Sequence, residues 1–171
     1  FLFPSNIQVI EDLFYSGNIL EAKSHFESLD TVDESAYYLG YQIYLKLDDL
    51  NSANKYLQKA VEINEDKYID EGDNLGELIN DLKNVNKTLT SGFINEAIEE
   101  SKRLVEKYKD NAICFYRLGY AYKKNKDYDN AILNFNKAKD LNPYNSLYQE
   151  EITYISNIEM LKGKEFYDLK D

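Results

Sequence analysis

The sequence predicts an all-α fold, a single solenoid over residues 1–171 in which helical hairpins stack on one another. Three observations predict it. Apolar residues recur with the helical period along most of the chain, and no segment alternates as a strand does. Two prolines and seven glycines are too few to cut 171 residues into strands and tight turns. Finally, residues 36–64 repeat the pattern of residues 115–143.

Each element follows in order. Ser5 with Gln8 makes a capping box just after Pro4, and Ile7, Ile10, Leu13 and Phe14 then share one helical face. Gly17-Asn18 ends that helix. Asn18 and Glu21 box the second, which carries Leu20, Ala22, Phe26 and Leu29. Thr31 and Glu34 box the third, where Tyr37, Tyr41 and Tyr44 run beside Leu39, Gly40, Ile43 and Leu47. Asp48-Asp49 breaks it, and residues 50–63 form the fourth. Residues 64–73 are mostly charged and lose the period, which predicts a loop. Asn74 and Glu77 box a fifth helix whose stripe is Leu75, Leu78, Ile79, Leu82, Val85 and Leu89, with Gly92 as its stop. Helices over 94–107, 112–124, 128–140 and 147–162 complete nine, in four pairs plus one. Ser146 with Gln149 is the last box and Gly163 the last stop.

Composition narrows the function. With 31 acidic and 20 basic residues the net charge is -11, which argues against a general nucleic-acid or anionic-membrane binder. The single cysteine leaves no intramolecular disulfide, and the single histidine, His25, removes multi-histidine metal sites and triads. No apolar run is long enough for a transmembrane helix. The expectation is a soluble chain, with the cytoplasm the favoured compartment. Asp48-Asp49 and the acids at 66, 70, 71 and 73 lack EF-hand spacing. Cys114 stands at a helix start, where a thiolate could be stabilised, but reads better as a buried small residue. Glutamate-rich helix surfaces supply carboxylate pairs everywhere without nominating an acid and a base. No enzyme activity, cofactor or metal is expected.

The repeat itself is specific. Residues 36–64 and 115–143 share Leu-Gly-Tyr, then an alanine, then a bulky residue four on and another alanine three later. In the better copy these are Phe115, Leu118, Gly119, Tyr122, Ala131, Phe135, Ala138 and Pro143. The other carries Leu39, Gly40, Ile43, Ala53, Leu57 and Ala60, with one extra residue between Gly40 and Ala53. Weaker copies hold Gly17, Ala22, Phe26 and Leu29, and Gly92, Ala97, Ser101 and Leu104. Gly119 and Ala131 are small, as two helices crossing closely require, and Pro143 stops the second helix. This pattern resembles the tetratricopeptide repeat. On that resemblance the chain divides into repeats over 5–30, 33–64, 74–109 and 111–143, with a capping helix over 146–162.

The resemblance implies a right-handed α-α superhelix whose first helices line a concave groove, and a module that binds proteins. Carried onto this chain, the ligand-facing positions are Tyr37, Tyr41 and Tyr44 in the second repeat and Tyr116, Tyr120 and Lys123 in the fourth. Ile113, Lys124 and Glu34 join them, as do Ile7, Glu11, Phe14 and Tyr15 in the first repeat and Ile79, Leu82, Asn86 and Leu89 in the third. The groove would then be rich in tyrosine, which offers apolar area and a hydroxyl at low entropy cost. The competing reading is that these rings pack on one another. The lysines and asparagines of a chaperone-tail clamp are missing from the matching positions. The expected partner is a protein or peptide, with no nucleic acid. The alternative is a structural segment of a larger solenoid or self-assembling complex, joined through its ends. Phe1 at the start and Phe166, Tyr167 and Leu169 at the other end favour that alternative.

Overall fold

The computed structural model describes residues 6–30 and 32–168, with side chains through 161. Among the described residues there are nine helices and no strand: α1 (Asn6–Tyr15), α2 (Ile19–Glu27), α3 (Glu34–Lys46), α4 (Leu50–Ile63), α5 (Glu65–Thr90), α6 (Ile94–Lys107), α7 (Ala112–Lys124), α8 (Tyr128–Leu141) and α9 (Ser146–Asp168). The fold is all-α and built of helix-turn-helix repeats. The chain divides into two compact units, residues 1–80 and 81–171. Helix α5 gives residues 65–80 to the first and 81–90 to the second.

One turn chemistry closes all four hairpins. Gly17, Asp48, Gly92 and Lys126 have φ between 59° and 88°. After each, the next amide reaches back five residues: Asn18 N to Leu13 O, Asp49 N to Tyr44 O, Phe93 N to Thr88 O and Asp127 N to Tyr122 O, at 2.8–3.2 Å. This is the Schellman closure, which satisfies carbonyls orphaned at a helix end. Asp49 and Asp127 then cap the following helices, accepting from Ser52 N at 3.0 Å and Asn130 N at 3.2 Å. Asn18 makes no such bond; its amide donates to Ser16 Oγ instead.

Several starts differ from the sequence reading. Ser5 and Thr31 lie outside the described residues. Helix α3 is capped by Asp33, whose carboxylate accepts from Ala36 N at 2.9 Å. Helix α9 begins at Ser146, with Asn145 Oδ1 accepting from Leu147 N. Gly163 does not stop it, since α9 continues to Asp168.

The main correction concerns residues 64–73. All but Asn64, the C-cap of α4, are helix, not loop: α5 is 26 residues long, twice the 13 of α3 or α7. Glu65 and Asp66 occupy its first turn, where carboxylates complement the helix dipole. Tyr68 lies seven residues before Leu75 and extends the buried stripe of Leu75, Leu78, Leu82, Val85 and Leu89. Its ring stacks on Tyr38 of α3 at 4.7 Å, and its hydroxyl donates to Glu34 Oε1 at 2.9 Å. Asn74 and Glu77 therefore sit within a helix rather than starting one.

In the first unit the core runs through Ile10, Ile19, Ala22, Phe26, Ala36, Leu39, Ile43, Ala53, Leu57 and Ala60. In the second, Leu89, Ala97, Ile98, Leu118 and Ala121 form one cluster. Gly119 faces Ala131 and Phe135 as the spacing predicts: a Cβ there would lie 3.1 Å from Ala131 O and 2.8 Å from Phe135 Cδ1. Helix α9 covers the last hairpin. Tyr148 packs on Ala112 and Ala138, and Ile155 on Ala131 and Phe135. Leu161 is 58% exposed, and Glu151 is held by Lys123.

Candidate functional site

The predicted site residues fall into two groups, one in each unit. In the first unit, α3 is flanked by α2 and α4. Tyr37 is half-buried and stacks on Tyr56 of α4, with ring centroids 6.4 Å apart. Tyr44 lies deeper, 6% exposed, stacked on Tyr56 at 5.3 Å and edge-on to Phe26 at 6.3 Å. Its hydroxyl donates to Glu27 Oε1 at 2.7 Å; burial, reinforced by that carboxylate, holds its pKa well above the usual phenol range. Tyr41 is half-buried beside Tyr38 at 5.4 Å, and burial raises its pKa. Tyr41 and Tyr44 are thus neutral hydroxyl donors around neutrality, with aromatic surface at the α3 face.

In the second unit Tyr116 is half-buried among Tyr120, Phe135 and Tyr148, at 6.0, 5.7 and 5.5 Å. Burial raises its pKa as well. Lys123 lies over the Tyr120 ring at 4.6 Å and the Tyr154 ring at 5.2 Å, and its ammonium pairs with Glu151 of α9. Lys124 is exposed and lies 5.3 Å from the same Tyr120 centroid. Helix α9 therefore borders this group and fixes the lysine.

Of the remaining predicted positions, Ile7 and Glu11 line one open cleft and Phe14 packs edge-on to Tyr15 at 5.3 Å. Leu82, Leu89 and Ile113 are buried in packing, whereas Asn86 and Tyr15 are exposed. Cys114 is fully buried, and desolvation, with a smaller contribution from Asp81, pushes its thiol up to about 12. That is core behaviour, not an activated nucleophile. A shallow cleft of about 270 Å³ beside α5 and α6 is lined by Asp81, Arg103 and Lys107, but its central charges satisfy each other: Lys107 pairs with Asp81 at 2.9 Å. Among the described residues no group of His, Cys, Asp or Glu is placed to hold a metal ion, and no helix is long and apolar enough to cross a membrane.

Sequence reasoning missed Tyr38, Tyr56 and Tyr68. Tyr56 adjoins the repeat position Leu57, and Tyr68 lies in the segment read as loop. The available signal was spacing: Tyr68 precedes Leu75 by two helical turns.

The folded chain defines a class first, a protein of stacked helical hairpins with small residues where helices cross. Two segments match the family model described as tetratricopeptide repeat, residues 34–67 and 112–145. Those two segments are tetratricopeptide repeats. No curated protein sequence is significantly similar to it. Among solved structures it is similar to MamA (residues 41 to the end) from Desulfovibrio magneticus RS-1, at 15% identity over 96% of this chain and 91% of that one, TM-score 0.46. It is also similar to YrrB, a TPR protein with an unusual peptide-binding site, at 22% identity over 85% and 71%, TM-score 0.42. A third is the P58(IPK) TPR domain, at 13% identity over 90% and 55%, TM-score 0.47. At these identities and scores the likeness assigns no residue a role here.

Proposed function

We propose that this chain is a protein-interaction module whose ligand is a peptide segment or partner protein held against the tyrosine surfaces of α3 and α7. One observation carries the reading. Tyr37 with Tyr41, and Tyr116 with Tyr120, occupy matching places in two repeats, and all four rings remain partly exposed. Each pair stands one helical turn apart, so each unit presents its own aromatic strip. Neighbouring rings, Tyr56 against Tyr37, Tyr38 beside Tyr41, and Phe135 and Tyr148 against Tyr116, support the strips before any ligand arrives. A preorganised aromatic surface loses little conformational entropy on binding. Tyr44 and Lys123 act in this reading as supports, the first under Tyr56 and the second beside Tyr120.

The test is calorimetry on a partner recovered with the isolated chain, using Tyr41→Ala and Tyr120→Ala. Loss of an anchor ring is expected to cost about 2 kcal/mol, roughly thirtyfold in affinity. Unfolding midpoints measured alongside separate lost binding from lost packing. Unchanged affinity in both variants would place the ligand elsewhere.

A second reading, a structural or self-assembling role, is favoured by Leu147, Tyr154, Met160 and Leu161, which stand exposed on α9. Concentration-dependent mass in sedimentation equilibrium, abolished by Met160→Lys with Leu161→Lys, would support it. A monomer at all concentrations would end it.

A further inference from the structure

Three lysines of the first unit lie over aromatic rings. Lys23 of α2 and Lys55 and Lys59 of α4 lie over the rings of Tyr44, Tyr56 and Tyr37, at 5.5, 5.3 and 4.9 Å from the centroids. Those three rings form one ladder, Tyr37 on Tyr56 on Tyr44, backed edge-on by Phe26. Three ammonium groups are therefore gathered on a continuous aromatic surface of one unit.

Little opposes them. Glu27 is 3.7 Å from Lys23, and it already accepts the Tyr44 hydroxyl. Among the described residues no carboxylate lies within 4.0 Å of Lys55 or Lys59. Helix α4 carries both lysines and one acid, Glu62, near its far end, in a chain where acids outnumber bases 31 to 20. An acidic chain has ample glutamate to neutralise such a patch, and here it does not.

We infer that this lysine–tyrosine ladder is the docking surface for an acidic protein segment. Aspartate or glutamate side chains of the ligand pair with Lys55, Lys59 and Lys23, and its apolar side chains lie on the exposed parts of Tyr37 and Tyr56. The cations are pinned by their rings, so less side-chain entropy is lost when a carboxylate arrives. The net charge of -11 disfavours such a ligand over the chain as a whole, so local cations must receive it. The inference rests on the peptide-binding reading above and adds the ligand's charge and the three residues that read it.

The experiment is fluorescence anisotropy with the full chain and three labelled short peptides of identical leucine spacing, with aspartate and glutamate, serine and glutamine, or lysine between the leucines. A single-stranded oligothymidylate is the fourth probe. The acidic peptide is expected to bind best, and Lys55→Gln with Lys59→Gln to weaken it about tenfold or more at an unchanged unfolding midpoint. Acidic binding no tighter than the neutral or basic peptide, or unmoved by the double variant, overturns the inference. Oligothymidylate binding as tightly as the acidic peptide overturns it too, since the patch would then read any polyanion. If the neutral or basic peptide binds and Tyr37→Ala weakens it, the charge assignment fails while the peptide-binding reading stands. If no probe binds, the inference fails, and the calorimetric test above decides the broader reading separately.

Discussion

The ring of Phe26 in α2 occupies the space that a side chain on Gly40 in α3 would need. A Cβ built on Gly40 would lie 2.8 and 2.9 Å from Phe26 Cε2 and Cε1, closer than real Cβ atoms approach. Gly119, its repeat counterpart, meets Phe135 of its own hairpin instead. Equivalent glycines thus admit an aromatic ring from opposite neighbours: Phe26 joins one repeat to the next, and Phe135 closes a repeat on itself. Phe26 and Phe135 also hold the same place in their own repeats, four residues after Ala22 and Ala131. The small residue is kept because one large residue repeats with it.

Gly40→Ala is expected to destabilise the chain. Overpacking costs about 1–3 kcal/mol, against roughly 1 kcal/mol regained from helix propensity. Phe26→Leu in the same chain should recover part of the loss. Gly76 in α5 is the control, because a Cβ there meets nothing within 4 Å. Gly76→Ala should raise stability by about 0.5–1 kcal/mol. Urea midpoints of the three variants against the parent check both signs.

Cys114 should behave as core. With its thiol fully buried and pushed up to about 12, the thiolate is scarce at pH 8 and out of reach of reagent. Ellman's reagent should react with one thiol per chain in denaturant and only slowly with the native protein. Fast native labelling would mean that α7 is packed differently.

Glu34 supplies a pH signature for the contact of α3 with α5. Its pKa is lowered from 4.5 by hydrogen bonds from Lys67 and then Tyr68, at 3.0 and 2.9 Å. A lowered carboxylate stabilises the folded state fully above its unfolded value and loses that contribution as pH falls through the folded one. Lys67, raised from 10.5, gives a contribution that is full below 10.5 and fades above it. Glu34→Gln should therefore flatten the decline in urea midpoint between about pH 5 and 3 while leaving the shape of the profile near neutrality unchanged. Equal acid slopes in both proteins would remove Glu34 from the account.

The hairpins were legible in the sequence because small residues at helix crossings cannot be replaced freely, so Gly40, Gly119, Ala53 and Ala131 recur at fixed spacing. The four turns were legible in part: Gly17 and Gly92 announce a positive φ, whereas Asp48 and Lys126 adopt it without glycine. The tyrosines could be placed on one face of α3 and α7 by spacing alone. How open that face is could not be read, because the closing groups come from other helices: Tyr56 from α4, and Tyr148, Glu151 and Tyr154 from α9. Tyr44 shares the face of Tyr37 and Tyr41 yet is buried, since Phe26 and Glu27 of α2 meet it from the side. The lysine ladder was hidden for the same reason: α2 supplies one of its ammonium groups and α4 two, all lying over rings of α3 and α4, and a net charge of -11 gives no hint of it.

The last prediction tests the helical start of α5. Residues 64–73 look like a loop by periodicity because charged side chains fill the exposed positions and the stripe is thin there. The physical argument for helix is local. Glutamate and lysine are good helix formers, the acids at 65 and 66 sit at the favourable end of the dipole, and a single deeply buried ring, Tyr68, anchors the segment at 3% exposure. Asp70 is exposed two residues beyond that ring, with helix on both sides. Proline there removes a backbone hydrogen bond and pushes its ring into the carbonyl four residues before. Asp70→Pro is therefore expected to cost about 3 kcal/mol and to lower the ellipticity at 222 nm, whereas a true loop would accept it with little change. Asp70→Ala removes the same side chain while keeping the amide and should be neutral or slightly stabilising. If the two variants unfold at the same midpoint as the parent, residues 64–73 are not helical in solution, and the stacking of Tyr38 on Tyr68 falls with them.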